Sequence, residues 1–492
     1  MTWWRGGVVY EIYPRSFQDT DGDGVGDLRG IAERLPYLRW LGVDAIWITP
    51  FYPSPLRDFG YDITDHTAVA PEFGTLEDFD ELVAAAHRER VRVILDHVPN
   101  HTSDEHPWFR DPSKRDWYYW RDGDPPNNWI SMFGGSAWQY DPAVGKSFYH
   151  AYLREQPDFN WRNEAVREAM FDVLRFWIDR GVDGFRVDAA RQLAKDPELR
   201  DNPPNPDYRP DMPERDRHLP IHSVDLDDVQ EPIAAIRREI GDDRLMIAEV
   251  YAPIERLVRY YGEDGRGAHL PFNMHLISIP WRAEEIAALV ERYEAALPDG
   301  AWPNWVLGNH DQPRVASRIG PEQARVAAIL LLTLRGTPTL YYGDEIGMLD
   351  VPIPPDRVRD PGPGRDPERT PMRWDSGPNA GFCPPGVEPW LPVGEGPDVA
   401  AQRDDPRSML TLHRRLLALR RGFAEADYRT LHVSPAVFAY GRGERIAVAL
   451  NLTGDPQEIP ISGEVILSTH LDGGERNALR AHEGVLLDLE SC

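Results

Sequence analysis

Apolar runs of six to eight residues recur along the chain, and most are separated by longer stretches in which apolar residues return every third or fourth position. The short runs are VVYEIY (8–13), DAIWITP (44–50), VRVILDHV (91–98), GFRVDA (184–189), LMIAEV (245–250), HLPFNM (269–274), WVLGNH (305–310) and PTLYYG (338–343). Their length and near-continuous apolar character suit strands buried on both faces. The stretches between them, such as IAERLPYLRWLG, FDELVAAAHRER, VREAMFDVLRFWIDRG, IAAIRREIG and ARVAAILLLTLRG, have the helical period. Alternation of this kind marks parallel βαβ units. Eight of them predict an α/β fold, a (β/α)8 TIM barrel, whose chemistry sits in the loops after the strands.

The rhythm breaks in three places. From His101 to about Asn160 the chain is rich in Trp, Tyr, Pro, Asp and Gly without a helical period, which predicts a lobe inserted after the third strand, with most of its aromatics forming its own core. Stretches 196–228 and 350–407 are polar and Pro-rich and read as long loops near the barrel mouth. From Tyr428 onward, VFAYG, RIAVALNL, EVILST and GVLLDL alternate between turn residues, the pattern of a small antiparallel β domain. The expected division is therefore barrel over 1–100, lobe over 101–160, barrel again over 161–427 and a C-terminal β domain over 428–492.

Charge narrows the partners. With 81 acidic and 54 basic side chains, a formal net of −27, the surface repels nucleic acid and anionic membranes and favours neutral or cationic ligands. AAILLLTL (327–334) is too short to cross a bilayer. The opening MTWWRGGVVYEIYPRSF lacks the pattern of a signal peptide. Cys383 and Cys492, the two cysteines, fall in segments expected to lie far apart. No disulfide framework is expected, a cytoplasmic setting fits, and the NLT at 451–453 reads as a chance match to a glycosylation acceptor.

The candidate chemistry lies where the apolar runs end. Arg186 and Asp188, two apart in GFRVDAA (184–190), share one face of a strand, and burying two ionised groups there is costly unless they are matched or used. Asp96, Glu249 and Asp311 stand just past other runs, so four carboxyls converge on one mouth. Crowded carboxylates raise one another's pKa, as a general acid near neutral pH requires.

DHVPNH (96–101), GFRVDAA (184–190), IAEVY (247–251) and LGNHD (307–311), in this order, resemble the four signature regions of the α-amylase family of glycoside hydrolases, and QPDFN (156–160) resembles the extra region of its oligo-1,6-glucosidase and α-glucosidase branch. The resemblance implies Asp188 as nucleophile, Glu249 as general acid/base and Asp311 as the carboxylate that steadies the transition state. A retaining glycosidase needs its two carboxyls about 5 to 5.5 Å apart, a separation that adjacent barrel strands offer. Arg186 would keep Asp188 ionised, and His101 and His310 would bind sugar hydroxyls. Tyr61 and Asp62 in FGYDITD, with Arg373 in TPMRWD, match the stacking aromatic and the acid–base pair that would close the pocket beyond one glucose. Phe159 and the loops at 201–228 and 350–370 are candidates for the leaving-group side.

DTDGDGVGD (19–27) spaces its acids like the front half of an oxygen-ligand calcium loop, but Gly30 stands where an EF-hand has its bidentate Glu. The loop resembles the metal loop of the α-glucosidase branch, which implies one structural Ca²⁺ held by Asp19, Asp21, Asp23, Asp27 and the Val25 carbonyl, with no organic cofactor. The expected activity is a retaining exo-α-glucosidase on short gluco-oligosaccharides, with a maltose-like sugar or sucrose as the small-molecule partner. In this branch the residue after the nucleophile tends to be Val in α-1,6-acting members, and Ala189 stands here, which points to α-1,4 linkages. A glucosyl-transferring or sucrose-directed member would share every catalytic residue. A catalytically dead binding subunit would have lost the carboxylates and gained a membrane helix, and the sequence shows neither.

Overall fold

The computed structural model describes residues 2–360, 364–472 and 478–489. Cys492 lies outside them, and Cys383 is a free, buried thiol. Each of the eight apolar runs forms a strand of one parallel sheet: Val9–Ile12, Ala45–Ile48, Arg92–His97, Gly184–Val187, Leu245–Ala248, Leu270–Pro271, Asn304–Val306 and Thr337–Tyr341. Consecutive strands pair side by side, and the first also pairs with the eighth, Val9 opposite Thr339. The ladder opens between the sixth and seventh strands. Pro271 ends the sixth after two residues, and without an N–H it cannot extend the pairing. The result is a nearly closed barrel.

Three of the barrel helices start where a side chain satisfies one of their first N–H groups. Asp27 caps Leu28–Leu41, Thr75 caps Leu76–Arg88 in a reciprocal capping box with Asp78, and Asn163 caps Glu164–Asp179. Their apolar faces, including Leu35, Leu38, Phe79, Leu82, Leu174 and Trp177, are buried in the main core.

After the third barrel strand the chain leaves the barrel and builds a three-stranded antiparallel sheet from Trp120–Asp122, Trp138–Asp141 and Lys146–Tyr149. Phe109, Trp120 and Phe148 pack on one another there, as do Trp129, Trp138 and Tyr149. One tie to the barrel is a fully buried ion pair, Lys195 Nζ to Asp158 Oδ2 at 2.6 Å, with Asn100 Oδ1 also on the ammonium at 2.9 Å. The terminal β unit is a five-stranded antiparallel sheet, with Tyr428–Val433, Val437–Arg442, Ile446–Asn451, Gly484–Asp488 and Glu464–Ser468 in that spatial order. It docks on helix Pro321–Thr333, where Thr333 Oγ1 meets the Tyr440 hydroxyl at 2.5 Å.

Candidate active site

Arg186, on the fourth barrel strand, is only 1% exposed. Its Nη1 bonds Asp96 Oδ1 at 2.6 Å and Asp188 Oδ1 at 2.8 Å, and its Nη2 bonds Glu249 Oε1 at 3.0 Å. Three acids from three neighbouring strand ends are therefore gathered on one guanidinium. The second Glu249 oxygen accepts the Ala189 N–H at 3.0 Å. Ala189 can offer that N–H because it turns left-handed directly after Asp188, at φ 48°, a conformation that costs a non-glycine residue energy and concentrates at functional sites.

The charge balance differs from the sequence expectation in one respect. Burial, reinforced by the Glu249 and Asp96 charges, pushes Asp188 well above the usual carboxylate range despite the pull of Arg186. One guanidinium is shared by three acids here. Burial likewise raises Asp96 to about 6. Asp311 behaves oppositely. Burial works against its charge, but His310, Arg365 and Arg369 outweigh it and hold the carboxyl far below its ordinary value. Arg365 Nη1 and Arg369 Nη2 both donate to Asp311 Oδ1, at 3.0 and 2.9 Å.

Tyr61 and His310 stack with their planes 6° apart, and the Tyr61 hydroxyl lies 2.9 Å from His310 Nε2 and 3.2 Å from Asp96 Oδ2. A cavity of about 310 Å³ opens at this mouth, walled by Tyr152, Ala189, Glu249, Tyr251, Asp311 and Arg365 among others, a size that suits a small ligand. His101 stands behind the wall, 2% exposed, its Nε2 beside Gln156 Nε2 at 3.1 Å. Gln156 in turn donates to Asp58 Oδ2 at 2.9 Å.

Three expected site residues do other work. Asp62 does not pair with Arg373. It is fully buried and caps its own loop, accepting Ser54 Oγ at 2.7 Å, Arg57 N at 2.8 Å and Asp58 N at 3.0 Å. Arg373 donates instead to the Pro397 carbonyl at 3.2 Å and to the Gly394 carbonyl, joining two loops. Phe159 does not line the leaving-group side. It is fully buried in the lobe against Tyr118 and Trp108. In the acidic loop Asp23 accepts the Val25 N–H at 2.7 Å, as Asp19 accepts the Gly22 N–H and Asp21 the Asp23 N–H, and Asp19, Asp21 and Asp27 bring ligand oxygens within 4.8 Å of one another. Those three carboxylates fit a hard divalent cation by donor chemistry.

The acid–base pair at the pocket wall is one that sequence reading missed. Arg365 Nη2 bonds Asp58 Oδ1 at 2.6 Å, while its Nε bonds Asp360 Oδ2 at 2.9 Å. Glu11, Arg369, Tyr152 and Tyr251 also escaped it. Tyr251 alone carried a signal, as the residue two past Glu249 in the same block.

The family model described as the α-amylase catalytic domain matches residues 11–426. The chain is 41% identical over 468 residues to a probable α-glucosidase of Rhizobium meliloti, covering 85% of this chain and 82% of that protein. It is 38% identical to maltase 1 of Drosophila virilis, covering 96% and 82%, and 34% identical to the oligo-1,6-glucosidase of Parageobacillus thermoglucosidasius, covering 95% and 93%. A solved α-glucosyl transfer enzyme, XgtA, superimposes with a TM-score of 0.92 at 36% identity, covering 99% of both chains.

Proposed function

The chain belongs to the α-amylase family, and from that premise we propose that it is a retaining, exo-acting α-glucosidase that removes the terminal glucose from the non-reducing end of short gluco-oligosaccharides. The observation that carries the reading is the single guanidinium of Arg186 holding Asp188 and Glu249 together beside an Asp311 kept ionised by two arginines.

The chemistry follows from that arrangement. The productive state leaves Asp188 ionised and has the proton on Glu249. Glu249 passes it to the glycosidic oxygen as the C1–O bond breaks, and an Asp188 oxygen bonds to C1. Water then gives a proton to Glu249 and attacks C1, breaking the ester to Asp188 and releasing glucose with its α configuration kept. The ionised Asp311 faces the positive charge that develops on the sugar ring. Asp58 and Arg365 take the place first given to Asp62 and Arg373, closing the pocket past one ring, while His310 and Tyr61 stack beside them and His101 stands behind the wall.

Preference for α-1,4 bonds is supported by Ala189. Its left-handed backbone would strain a β-branched residue further. Asp19, Asp21 and Asp27 would hold one structural divalent cation, Ca²⁺ by ligand type, which would neutralise the loop and take no part in bond breaking. No helix among the described residues is long and apolar enough to cross a membrane, and a cytoplasmic setting with oligosaccharide as the small-molecule partner is part of this reading. Product analysis decides the exo action: glucose and maltotriose in equal amounts as the first products from maltotetraose support it, whereas early internal fragments from a long glucan refute it. A glucosyl-transferring alternative is favoured by the likeness to XgtA, and accumulation of longer oligosaccharides at high maltose would reveal it.

A further inference from the structure

Glu11 lies on the first barrel strand, 0% exposed. The mechanism above does not use it. Its Oε1 sits 2.6 Å from His310 Nδ1 and accepts the His310 backbone N–H at 3.3 Å, while Oε2 is buried with no hydrogen-bond partner among the described residues. An ionised carboxylate with one oxygen buried and unmatched is strongly disfavoured. A neutral acid fits better, because an O–H on Oε1 can donate to the ring nitrogen while that oxygen still accepts the backbone N–H.

We propose that Glu11 is a positioning residue: as a neutral carboxylic acid it donates to Nδ1 of His310 and so holds the imidazole proton on Nε2. That N–H then points to the Tyr61 oxygen at 2.9 Å, with Asp311 Oδ2 at 3.5 Å, and Tyr61 is free to donate to Asp96. A sugar hydroxyl entering here meets a donor on His310 rather than a lone pair. Ionisation of Glu11 would move the proton to Nδ1 and remove that donor.

The groups that face Glu11 agree with its neutrality. Burial pushes it well above the ordinary carboxyl range. Arg186 from the fourth strand and the His310 backbone pull it down, and Asp311 and Asp96 push it further up. The flanking strands place Trp47 and Tyr341 at its register, which bring no cation.

Only the kinetic arm of the test rests on the α-glucosidase reading. Glu11→Gln keeps a donor to Nδ1 and cannot ionise. Glu11→Leu has no donor. In infrared difference spectra of wild type minus Glu11→Gln at neutral pH, the C=O band of a protonated carboxylic acid should appear, whatever the protein hydrolyses. In kinetics on an aryl α-glucoside, Glu11→Gln should stay within about threefold of wild type with its alkaline limb moved to higher pH, and Glu11→Leu should lose roughly tenfold to a hundredfold in kcat. Absence of the band, an unmoved alkaline limb in Glu11→Gln, or wild-type kcat in Glu11→Leu would each overturn the proposal. Wild type inert on every α-glucoside would refute the enzyme reading while the infrared arm still decides the role of Glu11.

Discussion

Arg365 and Asp58 meet at 2.6 Å, from loops 307 residues apart in the chain, and the same guanidinium holds Asp311 at 3.0 Å. One side chain thus connects Asp58 to Asp311, the carboxylate proposed to face the reacting ring. Both partners are close to fully buried, with side-chain exposures of 11% and 7%. Removing one member of such a pair leaves the other charge unmatched.

Arg365→Ala should therefore lower kcat/KM on maltose by about a hundredfold or more. Arg373→Ala, which among the described residues breaks bonds to loop carbonyls, should stay within about threefold, as substitutions away from buried networks do. Steady-state kinetics of the two variants compare directly, and equal losses would return Arg373 to the pocket.

This exchange of residues shows what the sequence can and cannot tell. Strands, and acids such as Asp188 and Glu249, are legible because a charge that ends a buried apolar run has few structural excuses. The pocket wall is not. Asp58 and Asp62 stand four apart in one loop, and Arg365, Arg369 and Arg373 at four-residue steps in another. Which of them turns inward depends on loop hydrogen bonds such as those that commit Asp62 to its own backbone. Glu11 was hidden for another reason: alternation places it in a strand, but only the neighbouring loop brings His310 onto it. Lys195 and Asp158 were invisible as a pair because each lies in an irregular segment.

Linkage preference turns on Ala189. Ala189→Val adds a branched side chain at φ 48°, next to the N–H that holds Glu249. The expected outcome is a lower kcat on maltose and a shift of about tenfold in the isomaltose-to-maltose ratio of kcat/KM toward isomaltose, the scale on which a methyl-sized change discriminates. An unchanged ratio would separate linkage preference from this position.

The acidic loop gives a stability prediction. If Asp19, Asp21 and Asp27 hold a divalent cation, chelator should lower the thermal midpoint and added Ca²⁺ should restore it, since a ligand present at a hundred times its Kd stabilises by about 2.7 kcal/mol. Asp21→Asn should abolish the Ca²⁺-dependent part. Identical midpoints with and without chelator would count against a metal.

The Lys195–Asp158 pair should be costly to break. Lys195→Met leaves a buried carboxylate without its cation and should destabilise by roughly 3 to 5 kcal/mol, read as a lower denaturant midpoint with an unchanged slope. The double variant with Asp158→Asn should recover part of the loss. Full additivity would mean that the pair does not anchor the lobe.

Asp344 predicts the pH dependence. Burial raises it to about 7 even though Arg314 opposes the shift, so between the unfolded carboxyl value near 4 and about 7 the native state binds a proton that the unfolded chain does not. Its contribution is full in acid and is lost as pH rises through that window. The thermal midpoint of wild type should fall between pH 5 and 8 by more than that of Asp344→Asn, and parallel curves would contradict this.

The central claim is that Asp188 forms the glycosyl-enzyme and Glu249 moves the proton. Proton NMR during the first minutes of hydrolysis of an aryl α-glucoside, whose leaving group brings no anomeric centre of its own, tests it directly, with Asp188→Asn and Glu249→Gln alongside. The account predicts that α-glucose appears before mutarotation and that each variant loses about a thousandfold or more in kcat. β-Glucose as the first product, or wild-type turnover by Asp188→Asn, would contradict it.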